Sequence, residues 1–128
     1  MPIRVDIADN FPQSVAAYKQ FDVLLVNAVF DGLNLVAKEA PLVNQRDGVV
    51  VLSENAGAHA ELGEWALTVN PFDVEGQAAA IGRALELDST ERRARLEAIR
   101  EHVRTHDLNR WTDTLLAALD RVAAPSRR

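Results

Sequence analysis

The sequence predicts an α/β fold, a parallel sheet of about four strands with flanking helices. Three observations lead there. Two continuous apolar runs, Val23-Leu24-Leu25-Val26 and Val49-Val50-Val51-Leu52, have the character of strands covered on both faces. Helix-compatible segments alternate with these runs, as parallel strands require, because their connections must cross over the sheet. Turn-forming residues mark the joins at Asn10-Phe11-Pro12, Asp31-Gly32, Asp47-Gly48 and Asn70-Pro71.

In chain order, residues 3–7 alternate apolar Ile3, Val5 and Ile7 with charged Arg4 and Asp6, which predicts a first strand with one covered face. Val15, Ala16, Tyr18 and Lys19 lie in a helix-compatible segment that leads into the 23–26 strand. Residues 33–42, rich in Leu, Ala, Lys and Glu, favour helix, and Pro41 is expected to distort or end it. After the 49–52 strand, Asn55-Ala56-Gly57-Ala58 forms a loop of small residues before a short helix. Residues 66–69 give a fourth short strand, and Asp73 is placed to cap a helix carrying Ala78, Ile81, Ala84 and Leu85. Ser89 or Thr90 begins a charged helix with Leu96, Ile99 and Val103 on one face. Trp111, Leu115, Leu119 and Val122 repeat that spacing in a last helix, before a polar tail over residues 125–128.

A chain of 128 residues, 48% hydrophobic and 26% charged, is an ordinary globular composition and fits one domain. Its net charge of −5 argues against nucleic acid, which demands a basic face. The clustered Arg92, Arg93, Arg95 and Arg100 are interleaved with Glu91, Glu97 and Glu101 and read as a solvated helix face. There is no cysteine, hence no disulfide framework or thiolate metal site. No apolar run is long enough to span a bilayer and the first residues lack a signal-peptide core, so a cytoplasmic setting without membrane partners is expected.

In a parallel sheet ligands sit beyond the carboxyl ends of the strands, so the loops after Val26, Leu52 and Val69 are the places to search. The first of them, Asp31-Gly32-Leu33-Asn34-Leu35-Val36-Ala37-Lys38-Glu39, runs from a turn glycine into a helix N-terminus. Unpaired amides and the helix dipole make such a terminus an anion site, and Gly32 allows a tight turn and a close ligand. Asp31 and Glu39 would lie roughly 12 Å apart along a helix axis. That exceeds the about 5 to 9.5 Å of a glycosidase carboxylate pair, so they suit the two ends of one extended ligand. On residues alone the loop is equally an ordinary strand-to-helix connection with Asp31 as its cap.

The string from Asp31 to Glu39, with residues 49–53, Asn55-Ala56-Gly57-Ala58 and Val69-Asn70-Pro71-Phe72-Asp73, strongly resembles the trehalose-6-phosphate synthase family over residues 3–119. Leu33 stands where that family commonly has methionine. The resemblance implies a retaining glycosyltransferase of the GT-B type, with glucose moving from UDP-glucose to glucose-6-phosphate between two Rossmann-like lobes. Residues 1–124 would be part of the C-terminal, nucleotide-sugar-binding lobe. Asp31 would bind sugar hydroxyls, as would the amides of Gly32, Leu33 and Asn34; those of Leu35 and Val36 would meet the diphosphate, and Glu39 the ribose. No catalytic protein nucleophile, cofactor or metal is implied.

The acceptor-binding lobe of that family has no counterpart here, nor do the arginine and lysine that grip the diphosphate. Losing two charge-assisted contacts would weaken donor binding by roughly 3 to 6 kcal/mol, on the order of 10² to 10⁴-fold. The expectation is therefore a fragment or truncated product, incomplete alone, that reaches glucose-6-phosphate only with the missing lobe. Alternatives are a relative with another acceptor, such as a glucosylglycerol-phosphate or validoxylamine-phosphate synthase, and a non-catalytic nucleotide-sugar-binding module pairing with a full-length synthase. If the Trp111 to Val122 helix crosses to the other lobe in longer members, its apolar stripe is left exposed here and self-association follows.

The remaining residues favour plain readings. His102 and His106 share a helix face at ligand spacing but lack the adjacent Glu of a zincin and a third ligand. His59 lies near the expected crevice, with solvent exposure the favoured state. Ser14 and Ser53 lack a nucleophile-elbow pattern, no dinucleotide or Walker loop occurs, and Trp65 and Trp111 are expected to pack.

Overall fold

Strand β2 (Val49–Ser53) is buried along its whole length, and the rest of the fold is arranged around it. It lies in the middle of a three-stranded parallel sheet, between β1 (Val23–Val26) and β3 (Leu67–Val69). Register pairs Val23 with Val49 on one side and Val51 with Leu67 on the other. The computed structural model describes residues 3–5 and 7–123. The helices are α1 (Phe11–Gln20), α2 (Val36–Val43), α3 (His59–Leu62), α4 (Val74–Glu86), α5 (Ser89–Thr105) and α6 (Leu108–Ala123).

The two faces of β2 explain its unbroken apolar run. Val50 and Leu52 join Ala37, Ala58, Leu62 and Ile99 on one side, while Val49 and Val51 join Leu67, Val69 and Ala84 on the other. Helices α2, α3 and α5 thus cover one face and α4 the other, each fully buried Val or Leu contributing about 1.5 to 3 kcal/mol. Alternating side chains along one strand supply both cores.

Four expectations change. The described part of residues 3–7 carries no strand, and Ile3, Val5 and Ile7 are exposed; a period-two pattern becomes a strand only beside a partner edge. The sheet among the described residues therefore has three strands. Strand β1 is not covered on both faces: it is an edge, and Leu25 is 39% exposed. On α4 the packed positions are Ala80 and Ala84, with Leu87 just beyond its end, while Leu85 points outward. Pro41 sits inside α2 and is buried; the helix continues to Val43.

Other helix signals hold. Asp73 Oδ1 accepts from the Gly76 amide, and Asp88, just before Ser89, accepts from Thr90 and Glu91. Leu96 and Ile99 are buried. The arginines of α5 are not merely a solvated face. Arg92 donates to the Asp47 carbonyl, Arg93 pairs with the Asp47 carboxylate at 3.0 Å, Arg95 reaches the Trp65 carbonyl, and Arg100 donates to the carbonyls of Pro41 and Asn44. Among the described residues no helix is long and apolar enough to cross a membrane. The 125–128 tail lies outside the described residues.

Candidate functional site

The carboxyl ends of β1 and β2 open into two loops that are tied to each other. Ser53 Oγ, fully buried, donates to the Ala28 carbonyl at 2.6 Å, and Asn55 Nδ2 to the Val29 carbonyl at 3.0 Å. Asp31 and Ala56 form an isolated parallel bridge, with the Gly57 amide donating to Asp31 O at 2.8 Å and the Ala58 amide to Leu33 O at 2.7 Å. A Cβ on Gly57 would collide with the Gly32 carbonyl, so the approach of the two loops requires that glycine. Sequence reasoning missed Ser53 and Asn55 as positioning residues; their signal is a polar residue ending an otherwise apolar strand and another two residues on, in the loop that faces the first.

Within the first loop Asp31 is a hub. Its Oδ1 accepts from the amides of Leu33 and Asn34, both at 3.1 Å, and its Oδ2 from Asn34 Nδ2 at 3.0 Å. The Leu33 amide foremost, then the Asn34 side chain, hold its carboxyl below the ordinary carboxylate value, so it is anionic at neutral pH. Asn34 Oδ1 in turn accepts from the Ala37 amide, which caps the start of α2. The turn conformation that glycine was expected to supply falls instead to Asn34, with φ of 68°. Gly32 has no positive φ, and a Cβ there would meet nothing within 4 Å.

Local capping thus absorbs some groups and leaves others. Leu33 and Asn34 spend their amides on Asp31. The amides of Gly32, Leu35 and Val36 have no acceptor among the described residues, and two of these adjoin the first turn of α2, where an anion is favoured. Glu39 is exposed, and its carboxylate has no partner among the described residues. The loop after β3 joins the same end through Asn70 Nδ2 to Glu54 Oε1 at 2.7 Å, and Asn27 Nδ2 reaches Gln77 Oε1 on α4 at 2.8 Å.

The histidines are engaged with other side chains. His59 is half-buried, and its Nε2 lies 2.9 Å from Thr68 Oγ1 on β3, where solvent exposure was expected. His102 lies 3.4 Å from Glu61 Oε2 and stacks on His106 with ring centroids 4.0 Å apart. Among the described residues no group of His, Cys, Asp and Glu could hold a metal. Trp65 packs against the core and His102, whereas Trp111 is 62% exposed beside a cleft of about 420 Å³ shared with Leu33, Lys38 and Arg110.

The model of glycosyltransferase family 20 matches residues 5–121. The chain belongs to that family. Among its relatives, the validamine 7-phosphate valienyltransferase of Streptomyces hygroscopicus subsp. jinggangensis is 39% identical over 122 residues, which is 95% of this chain and 24% of the relative. The bifunctional trehalose-6-phosphate synthase/phosphatase of Thermoproteus tenax is 43% identical over 91% of this chain and 16% of its own length. An α,α-trehalose-phosphate synthase (UDP-forming) structure from Burkholderia vietnamiensis superposes with a TM-score of 0.79 at 41% identity, covering 89% of this chain and 26% of that one. The E. coli structure bound with UDP-2-fluoro glucose gives 0.81 at 35% identity over 90% of this chain and 26% of that one. The chain thus spans about a quarter or less of the family-20 proteins it matches.

Proposed function

We propose that this chain is the donor-binding part of a trehalose-6-phosphate synthase-like glycosyltransferase, with residues 1–124 forming part of a nucleotide-sugar lobe and a cytoplasmic setting. The observation that carries the reading is the division of labour in the 31–39 loop. Asp31 is held anionic by three N–H donors and keeps lone pairs for sugar hydroxyls, oriented by Leu33 and Asn34. Gly32 leaves open space for the sugar, the amides of Leu35 and Val36 await the diphosphate, and Glu39 awaits the ribose hydroxyls. The E. coli structure bound with UDP-2-fluoro glucose and a Burkholderia xenovorans synthase in complex with glucose-6-phosphate supply the ligand classes. Glucose-6-phosphate is an acceptor only together with a first lobe.

Calorimetric titration with UDP and UDP-glucose tests the reading. Weak, saturable binding that disappears in Glu39→Ala and Asp31→Asn supports it; absence of binding at millimolar ligand overturns it. Synthase turnover by the chain alone would contradict its incompleteness. A second reading, a transferase that uses a different sugar or acceptor, is favoured by the 39% identity to the valienyltransferase. Tighter binding of GDP or ADP sugars than of UDP-glucose would favour it.

A further inference from the structure

Asn34 stands at the corner of the 31–39 loop and meets three demands at once. Its backbone is left-handed, with φ of 68°, a conformation that only Gly, Asn and Asp visit routinely. Its Nδ2 donates to Asp31 Oδ2 at 3.0 Å, and its Oδ1 accepts from the Ala37 amide at 3.0 Å. Ala37 is fully buried in the cluster with Val50 and Leu52, so its amide has no water to turn to and needs that acceptor.

These demands select the residue type. Glycine satisfies the turn and offers neither bond. Aspartate satisfies the turn and can accept from Ala37, but it sets a second carboxylate against Asp31. Asparagine alone among the three carries a donor and an acceptor, on one rigid amide plane. The two bonds therefore cannot move independently, and the orientation of the Asp31 carboxylate is tied to the first turn of α2. The two ends do not depend on Asn34 equally. Its Nδ2 is the one partner that Asp31 Oδ2 has among the described residues, whereas the start of α2 is also held by the Lys38 and Glu39 amides, which donate to the Leu35 carbonyl at 2.9 and 2.8 Å.

We propose that Asn34 is a positioning residue for the sugar of the donor: its side chain turns inward, and it fixes the Asp31 carboxylate relative to the Leu35 and Val36 amides. This rests on the donor-binding reading above and adds to it a residue that acts through Asp31.

Titration of the whole chain with UDP and with UDP-glucose, followed by amide NMR shifts, tests it. Asn34→Gly keeps the turn and removes both bonds. It should weaken UDP-glucose at least about tenfold and UDP by about threefold or less, so that the difference between the ligands widens. A role in folding alone would weaken both alike, since they share the nucleoside and the diphosphate. Asn34→Asp keeps the Ala37 acceptor and should widen the difference as well. Its added charge works in the opposite direction, because the terminal phosphate of UDP carries the extra negative charge. Hydrogen exchange without ligand reads the geometry directly: relative to Ala40 in the same helix, the Ala37 amide should exchange faster in Asn34→Gly and at the parent rate in Asn34→Asp. Equal losses of the two ligands in both variants, or unchanged Ala37 exchange in Asn34→Gly, overturn the proposal and leave the donor reading standing. A parent chain that binds neither ligand at millimolar concentration overturns the donor reading, and the proposal falls with it.

Discussion

Helices α5 and α6 are nearly equal in length and follow one another in the chain, yet they are attached in opposite ways. Helix α5 is the more polar of the two, and its seam holds only Leu96, Ile99 and Val103. It is nonetheless fixed, because Leu96 and Ile99 are fully buried and its arginines reach other segments of the chain, at Pro41 to Asn44, Asp47 and Trp65. Helix α6 has the stronger apolar seam and almost no attachment. An amphipathic pattern shows that a helix has a partner; it does not say that the partner lies in the same chain.

The largest test of that contrast is a matched pair of truncations. Leu96→Ala should cost about 2 to 5 kcal/mol in urea unfolding, the range for a buried leucine, while Leu115→Ala in dilute, monomeric protein should stay within about 0.5 kcal/mol of the parent. Equal losses would mean that α6 is packed after all. The arginines give a smaller difference. Arg100→Ala strands the carbonyls of Pro41 and Asn44 and should cost about 1.5 to 3 kcal/mol, against roughly 0.5 or less for Arg121→Ala.

The smallest effect is electrostatic. Glu61 joins α3 to α2 through Lys38 at 2.6 Å and to α5 through His102. The Lys38 hydrogen bond foremost holds its carboxyl below the ordinary value of 4.5, burial opposing. A depressed folded value stabilises the native state above the unfolded one, and that contribution is lost as pH falls below 4.5. The pair is partly solvated, so the loss should be about 0.5 kcal/mol. Glu61→Gln should flatten the acid limb of a pH–stability curve by that amount, and an unchanged limb would show that the pair contributes nothing.

The same contrast explains how much of the site was legible. Asp31, Gly32 and Glu39 stand out in the sequence because acidic and glycine residues at a strand-to-helix join are chemically conspicuous. Their division of roles is less visible. That Asn34 rather than Gly32 adopts the left-handed turn, and that Asp31 occupies the Leu33 and Asn34 amides, follows from one loop closing on another through Ser53, Asn55 and Gly57. Those contacts join residues some 25 positions apart, and no local pattern encodes them.

By itself the sequence determined the parallel α/β character, the order of the helices and strands from residue 11 onward and the capping residue Asp73, because each rests on a pattern confined to a few neighbouring residues. Only the tertiary structure decided which strand is the spine and which an edge, that residues 3–5 form no strand, and where the arginines of α5 anchor. A strand exists only where another strand supplies its hydrogen bonds, and a charged side chain is a tether only where a distant carbonyl waits for it.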